Sequence, residues 1–215
     1  KADLSRGLAG WWPLKDGGGV TARDVSGNGH DVRLSGGRWV AGDRRPGVSF
    51  DGSGQHLEIP STVVPPETKQ LTLAMWVSGP NLGRDHALAS KGRWYTGVPF
   101  LLWRDQDAAQ SPRRGTFTAL VGTATNHVRL ESATGAGFSP GWHHVAFTFV
   151  AERPEGLRLY VDGREDPNGP ASTLGIPHIM DNTEPVRIGA ASGELDRNLA
   201  GTVCDVRIYT RALSA

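Results

Sequence analysis

The chain carries a single cysteine, Cys204, in 215 residues. No intrachain disulfide can form, so a disulfide-stapled scaffold is excluded. Flanked by Val203 and Val206, the thiol reads as a small buried hydrophobe. Long apolar runs are missing too, and none approaches the roughly 18 residues of a membrane span. Net charge is nearly absent: 23 basic against 22 acidic side chains leave +1. Such a balance gives no general pull toward nucleic acid or acidic membranes. The longest basic patch, Arg113-Arg114 after Pro112, is too short to track phosphates and reads as a solvated loop tip. Helical periodicity longer than about a turn is lacking as well. The chain opens abruptly at Lys1 and closes at Ala215, which reads as a piece of a longer polypeptide.

What is present is punctuation and alternation. Twenty-nine glycines and fourteen prolines are scattered without a repeat, as suits many short strands joined by turns. "LTLAMWV" sets Leu71, Leu73, Met75 and Val77 against Thr72, Ala74 and Trp76. "HHVAFTFV" sets Val145, Phe147 and Phe149 against His144, Ala146 and Thr148. "LRLYVDGRE" alternates Leu157, Leu159 and Val161 and then meets Asp162-Gly163, a two-residue hairpin signal. In "VCDVRIY", Cys204, Val206 and Ile208 fall on one face, and Asp205, Arg207 and Tyr209 on the other. Short, turn-bounded strands of this kind predict an all-β, two-sheet antiparallel sandwich. No Pro/Ser-rich linker divides them, so residues 1–215 read as one domain.

In order along the chain come "GLAGWWPLKDGGGVTARDVSGNGHDVRLSGG", "VSFDGSGQHLEIP", "LTLAMWV", "GWHHVAFTF", "LRLYVDGR", "VRIGA" and "LAGTVCDVRIYTRALSA". Together they resemble the laminin-G-like, concanavalin A-like lectin/glucanase jelly rolls common in exported bacterial proteins. The resemblance spans about residues 7 to 215. It implies a jelly-roll sandwich, an extracellular or cell-surface location and a place within a longer exported protein. It says less of function, because this fold hosts lectins, adhesion modules, spacers and glycosidases alike.

"DVSGNGHD", Asp24 to Asp31, is a tight loop whose glycines and asparagine accept positive φ cheaply. It offers Asp24, Ser26, Asn28 and Asp31 as oxygen donors. Calcium needs six to eight oxygens, and the spacing lacks the acids of a helix–loop–helix site, so a site here must borrow ligands. Asp205 is the best lender, since an acid on a strand with an apolar alternate face needs solvent, an arginine or a cation. Proteins of the resembling family often tie an N-terminal loop to the last strand with calcium. The resemblance therefore implies a structural calcium held by Asp24, Asn28 and Asp205, with Asp51 of "FDGSG" as a further ligand or a turn residue. Without a metal, Asp24 and Asn28 cap the turn and Asp205 pairs with an arginine.

Catalytic patterns are sparse. Jelly-roll glycosidases need two carboxylates on one face, yet Glu58 stands alone, Glu131 precedes a turn and Glu165-Asp166 follows a hairpin. His143 and His144 point to opposite faces of a strand and cannot chelate one ion together. Ser61, Ser90 and Ser139 lie outside any nucleophile elbow, and "KDGGGV" forms no phosphate loop. Aromatics are more informative. Trp12, Trp76 and Trp142 match framework positions of the fold, whereas Trp94 and Tyr95 lie between Gly92 and Gly97. Trp103 alternates opposite Phe100 and Leu102 and leads into Arg104 and Asp105. Trp94, Tyr95, Trp103 and Arg104 thus form the expected binding platform, because sugar rings pack on exposed aromatic faces. The expected function is a non-catalytic recognition module binding carbohydrate (a polysaccharide or glycan) or a surface polymer, without nucleic-acid or membrane-inserting partners. The alternatives are a spacer or adhesion domain contacting neighbouring domains of the same polypeptide, and a degenerate glycosidase.

Overall fold

Alternating apolar residues need a second surface to cover them, and in the computed structural model each of two sheets supplies it for the other. The structure describes residues 3–42, 45–80, 85–93, 97–105, 115–133, 141–191 and 197–214. The first strands are β1 (Leu8–Trp12), β2 (Thr21–Ala22), β3 (Val32–Ser35), β4 (Arg38–Val40), β5 (Gly47–Asp51) and β6 (His56–Ile59). Next come β7 (Gln70–Ser78), β8 (His86–Arg93), β9 (Gly97–Asp105), β10 (Thr116–Gly122) and β11 (His127–Glu131). The last are β12 (Trp142–Val150), β13 (Leu157–Val161), β14 (Arg164–Glu165), β15 (Val186–Ile188) and β16 (Ala200–Tyr209). One sheet runs β14-β13-β12-β7-β16-β5-β4, with β1 also paired to β16, and the other runs β11-β10-β9-β8-β15-β6-β3-β2. Every pairing between these strands is antiparallel. This is the two-sheet sandwich that the alternation predicts. No helix among the described residues is long and apolar enough to cross a membrane.

The core lies between the sheets. Leu71, Leu73 and Met75 of β7 and Val145, Phe147 and Phe149 of β12 are fully buried there. Phe147 meets Phe100 of the opposite sheet with ring centroids 5.9 Å apart, so the layers are in direct contact. Each such side chain contributes about 1.5–3 kcal/mol on burial. Asp162 and Gly163 both adopt positive φ, 52° and 79°, the pair of conformations a two-residue hairpin turn of this hand requires.

One strand departs from simple alternation. Between Cys204 and Arg207 the β16–β7 register shifts, and Asp205 takes a left-handed φ of 52°. The extra residue lets Val203 and Val206 both reach the core. Cys204 is therefore not on the face of Val206 and Ile208, as plain alternation suggests. It lies directly opposite Trp76 on the outer side, yet only 4% exposed, and burial pushes its thiol up to about 11.

β1 is fastened by Trp12, wholly buried, whose indole donates to the His30 carbonyl at 2.8 Å. The ring folds back over Gly10, where an added Cβ would lie 2.2 Å from it. Gly10→Ala must displace a buried indole, and overpacking of this kind costs about 1–3 kcal/mol. A lowered urea midpoint with an unchanged slope is the expected result; a wild-type midpoint would mean that Trp12 moves aside freely.

Candidate functional site

The N-terminal loop does tie itself to the last strand, but through hydrogen bonds. Asp24 Oδ1 accepts the Trp11 and Ser26 main-chain N–H groups at 3.0 and 2.8 Å. Its Oδ2 accepts the Ser26 hydroxyl and the His30 N–H at 2.8 and 3.0 Å. Burial disfavours the Asp24 carboxylate, yet the bonds from Trp11, Ser26 and His30 outweigh it and hold the pKa below the ordinary value. Trp11 also reaches the other way, its indole N–H donating to Asp205 Oδ1 at 2.6 Å. Arg207 grips the same carboxylate with Nε and Nη2, at 3.0 and 3.1 Å. Trp11 thus links Asp24 to Asp205.

Calcium needs oxygen lone pairs turned toward it. Here the Asp24 oxygens face donors, Asp205 faces a guanidinium, and Asn28 presents its amide nitrogen to the Leu8 and Ala9 carbonyls. Asp51 is spent on its own turn, accepting from the Ser53 N–H and the Gln55 amide. Among the described residues no group of three His, Cys, Asp or Glu side chains is placed to hold a metal. In this arrangement Asp24, Asp51 and Asp205 accept hydrogen bonds from the chain itself, and Asn28 donates to the Leu8 and Ala9 carbonyls.

Of the expected aromatic platform, Trp103 and Arg104 are described. Trp94 and Tyr95 lie outside the described residues. Trp103 does alternate opposite Phe100 and Leu102, but it is 6% exposed. It packs with Ala87, Leu101 and Leu120 on the far side of its sheet, under the Arg129 guanidinium at 4.7 Å. Arg104 is buried as well, donating to the Gly79 and Pro80 carbonyls, and burial pulls its pKa down to about 10. These two side chains are built into the fold and not displayed on an exposed face. The sequence marks Trp103 as outward-facing, but that face is itself covered.

A different face converges. On the outer side of the sheet containing β7 and β12, antiparallel register lines up one residue from each of five strands. The row runs Tyr160–Ala146–Ala74–Arg207–Trp11. Directly opposed residues in antiparallel strands share a face, so two alanines form a floor between aromatic and charged ends. His144 and Trp76 stand in the row above, their rings 5.3 Å apart. Thr148, Thr72 and Tyr209 stand in the row below. The result is a depression of about 260 Å³. Its lower end is crossed by the C-terminal segment: Thr72 Oγ1 donates to the Arg211 carbonyl and accepts from the Leu213 N–H. Burial pulls the His144 imidazole below its ordinary pKa, with Asp205 pulling the other way. The ring is therefore neutral near pH 7 and can donate or accept one hydrogen bond. Among the described residues lining the depression, Asp205 supplies the one carboxylate.

The alternation of β7 and β12 already marks Thr72, Ala74, Trp76, His144, Ala146 and Thr148 as one non-core face. The signal for the site is the small Ala74 and Ala146 beside the aromatic Trp76 and His144, together with Tyr160 and Arg207. The aromatic pattern points instead to Trp94, Tyr95, Trp103 and Arg104.

The family described as concanavalin A-like lectin/glucanases superfamily matches residues 51–215. No protein of curated function matches the sequence. Among solved structures, the binding domain of Paraclostridial Mosquitocidal Protein 1 aligns with a TM-score of 0.75 at 15% identity, over 99% of this chain and 51% of that one. The binding domain of botulinum neurotoxin DC in complex with SialylT aligns at 0.72 and 9% identity, over 99% and 50%. Trypanosoma rangeli sialidase in complex with sialic acid aligns at 0.68 and 19% identity, over 97% and 31%. The chain thus spans about half of the toxin domains and a third of the sialidase. At these identities the likeness is one of fold.

Two measurements check the hydrogen-bonded clamp. Chelator and excess calcium should leave the melting temperature unchanged, while Asp24→Ala should cost about 2–4 kcal/mol by orphaning several donors at once. A melting temperature that rises with calcium would restore the metal. Because the folded-state pKa of Asp24 lies below its ordinary 3.8, its contribution is complete above that value and disappears as pH falls through the lower one. The acid limb of the stability curve should accordingly flatten in Asp24→Ala.

Proposed function

Because this chain belongs to the concanavalin A-like lectin/glucanase superfamily, whose fold serves binding and catalysis alike, we propose that it is a non-catalytic module holding a carbohydrate in the alanine-floored groove. The observation that carries this reading is the row Tyr160–Ala146–Ala74–Arg207–Trp11. A pyranose ring has apolar C–H faces and a rim of hydroxyls, so it needs a shallow floor, an aromatic wall and a few fixed polar groups. Ala74 and Ala146 give the floor, Tyr160 the wall, and the Asp205–Arg207 pair and His144 the polar groups. Asp205 is held by Arg207 and Trp11 and has no second carboxylate facing it in the groove. Glycoside hydrolysis requires two, which favours binding over turnover. A glycan ligand also agrees with the neighbours described in complex with SialylT and with sialic acid. The resemblance further supports a position outside the cell, within an exported protein.

Ala146→Leu tests this directly, because it fills the floor from the outer face and leaves the core untouched. In affinity electrophoresis against immobilised polysaccharides it should abolish retention with little change in melting temperature. Tyr160→Ala should weaken retention by roughly tenfold, the loss of about 1.4 kcal/mol of contact. Wild-type protein retained by no polysaccharide, or retention indifferent to Ala146→Leu, would favour a spacer or adhesion role.

A further inference from the structure

The saccharide reading leaves unexplained one charged group, stacked on Trp76, the residue opposite groove-lining His144. Most arginines around this face are satisfied within the chain. Arg207 binds Asp205, Arg158 pairs with Glu155 and Glu165, and Arg211 donates to the Asp3 and Arg6 carbonyls. Arg45 is different. Its guanidinium carbon lies 3.5 Å from the centroid of the Trp76 ring, and among the described residues no hydrogen bond or ion pair engages it.

At that distance the guanidinium lies in contact with the indole, which leaves no room for an N–H directed at the ring. The N–H groups therefore point sideways in the guanidinium plane. Stacking fixes the orientation of the side chain while leaving its donors unspent. Trp76 stands directly opposite His144, a lining residue of the groove, and one register step from the Ala74–Ala146 floor. The partners of Trp76 in its own row are His144 and Cys204, neither of them a carboxylate. A guanidinium offers donors only, in a fork that matches the paired oxygens of an oxyanion.

We propose that the groove takes an acidic saccharide, with Arg45 seating its carboxylate or sulfate group while the sugar ring lies on Ala74 and Ala146. This rests on the groove being a carbohydrate site and adds the class of sugar. Arg45 is a specificity residue here: the floor accepts any ring of the right depth, and the stacked guanidinium selects charge. Because the fork is prepositioned, little side-chain freedom is lost when the anion arrives.

The test compares wild type, Arg45→Gln and Arg45→Lys on three matched sets of immobilised oligosaccharides: neutral, uronate-bearing and sulfated. Wild type should prefer at least one acidic set over its neutral counterpart by roughly tenfold or more, as a charge-assisted pair contributes. Arg45→Gln should erase that preference and leave neutral binding unchanged, and Arg45→Lys should restore part of it. Which acidic set responds identifies the group as carboxylate or sulfate. Equal wild-type affinity for neutral and acidic sets would overturn the proposal and leave the groove reading intact. So would a preference that survives Arg45→Gln. Failure to bind any set would remove both.

Discussion

A single left-handed residue in β16 decides what the outer face can be. Strand side chains alternate with a period of two, and a one-residue slip sends every later side chain to the opposite side. The bulge at Asp205 absorbs such a slip inside the strand. Val203 and Val206 both stay in the core, while Arg207 and Tyr209 are delivered outward beside Ala74 and Thr72. A non-glycine residue at positive φ costs of order 1–3 kcal/mol and persists only where surroundings over-determine it. Here they do: the Asp205 carboxylate is fixed by Arg207 and by the Trp11 indole. The groove row exists because that bulge holds.

The same contacts bind the edge of the sheet to its neighbour loop. Trp11 donates its main-chain N–H to Asp24 and its indole N–H to Asp205, so one residue joins a loop and a strand 194 positions from itself. The adjacent Trp12 faces inward and anchors on the His30 carbonyl. Two consecutive tryptophans thereby serve opposite faces of one strand. A carboxylate bonded by several N–H and O–H donors is a strong local clamp, and it fastens the loop to β1.

Most of the architecture was legible in the residues. β7 and β12 announce themselves by strict alternation, and Asp162-Gly163 announces the β13–β14 turn. The bulge was not, because Asp205 carries no glycine to mark its positive φ, and "VCDVRIY" alternates as well in the wrong phase as in the right one. The burial of Trp103 was illegible for another reason: alternation reports which side of a sheet a residue takes, not whether that side is covered. The groove row draws on five strands spread from Trp11 to Arg207, so no window of sequence contains it. Asp24, Asn28 and Asp205 were correctly gathered near β1 and β16, but donor atoms around a carboxylate come mostly from backbone N–H groups, which every residue has.

The two floor alanines give the domain an unusual latitude under mutation. They sit on the same strands as Leu73, Met75, Val145 and Phe147, one position away from residues on which folding depends. Because their side chains leave by the opposite face, lengthening either one changes the depth of the groove without changing core volume. Groove shape and structural integrity are therefore inherited through interleaved but separate sets of codons. Drift in one set need not be compensated in the other, so the groove can change shape while the fold stays under unchanged selection.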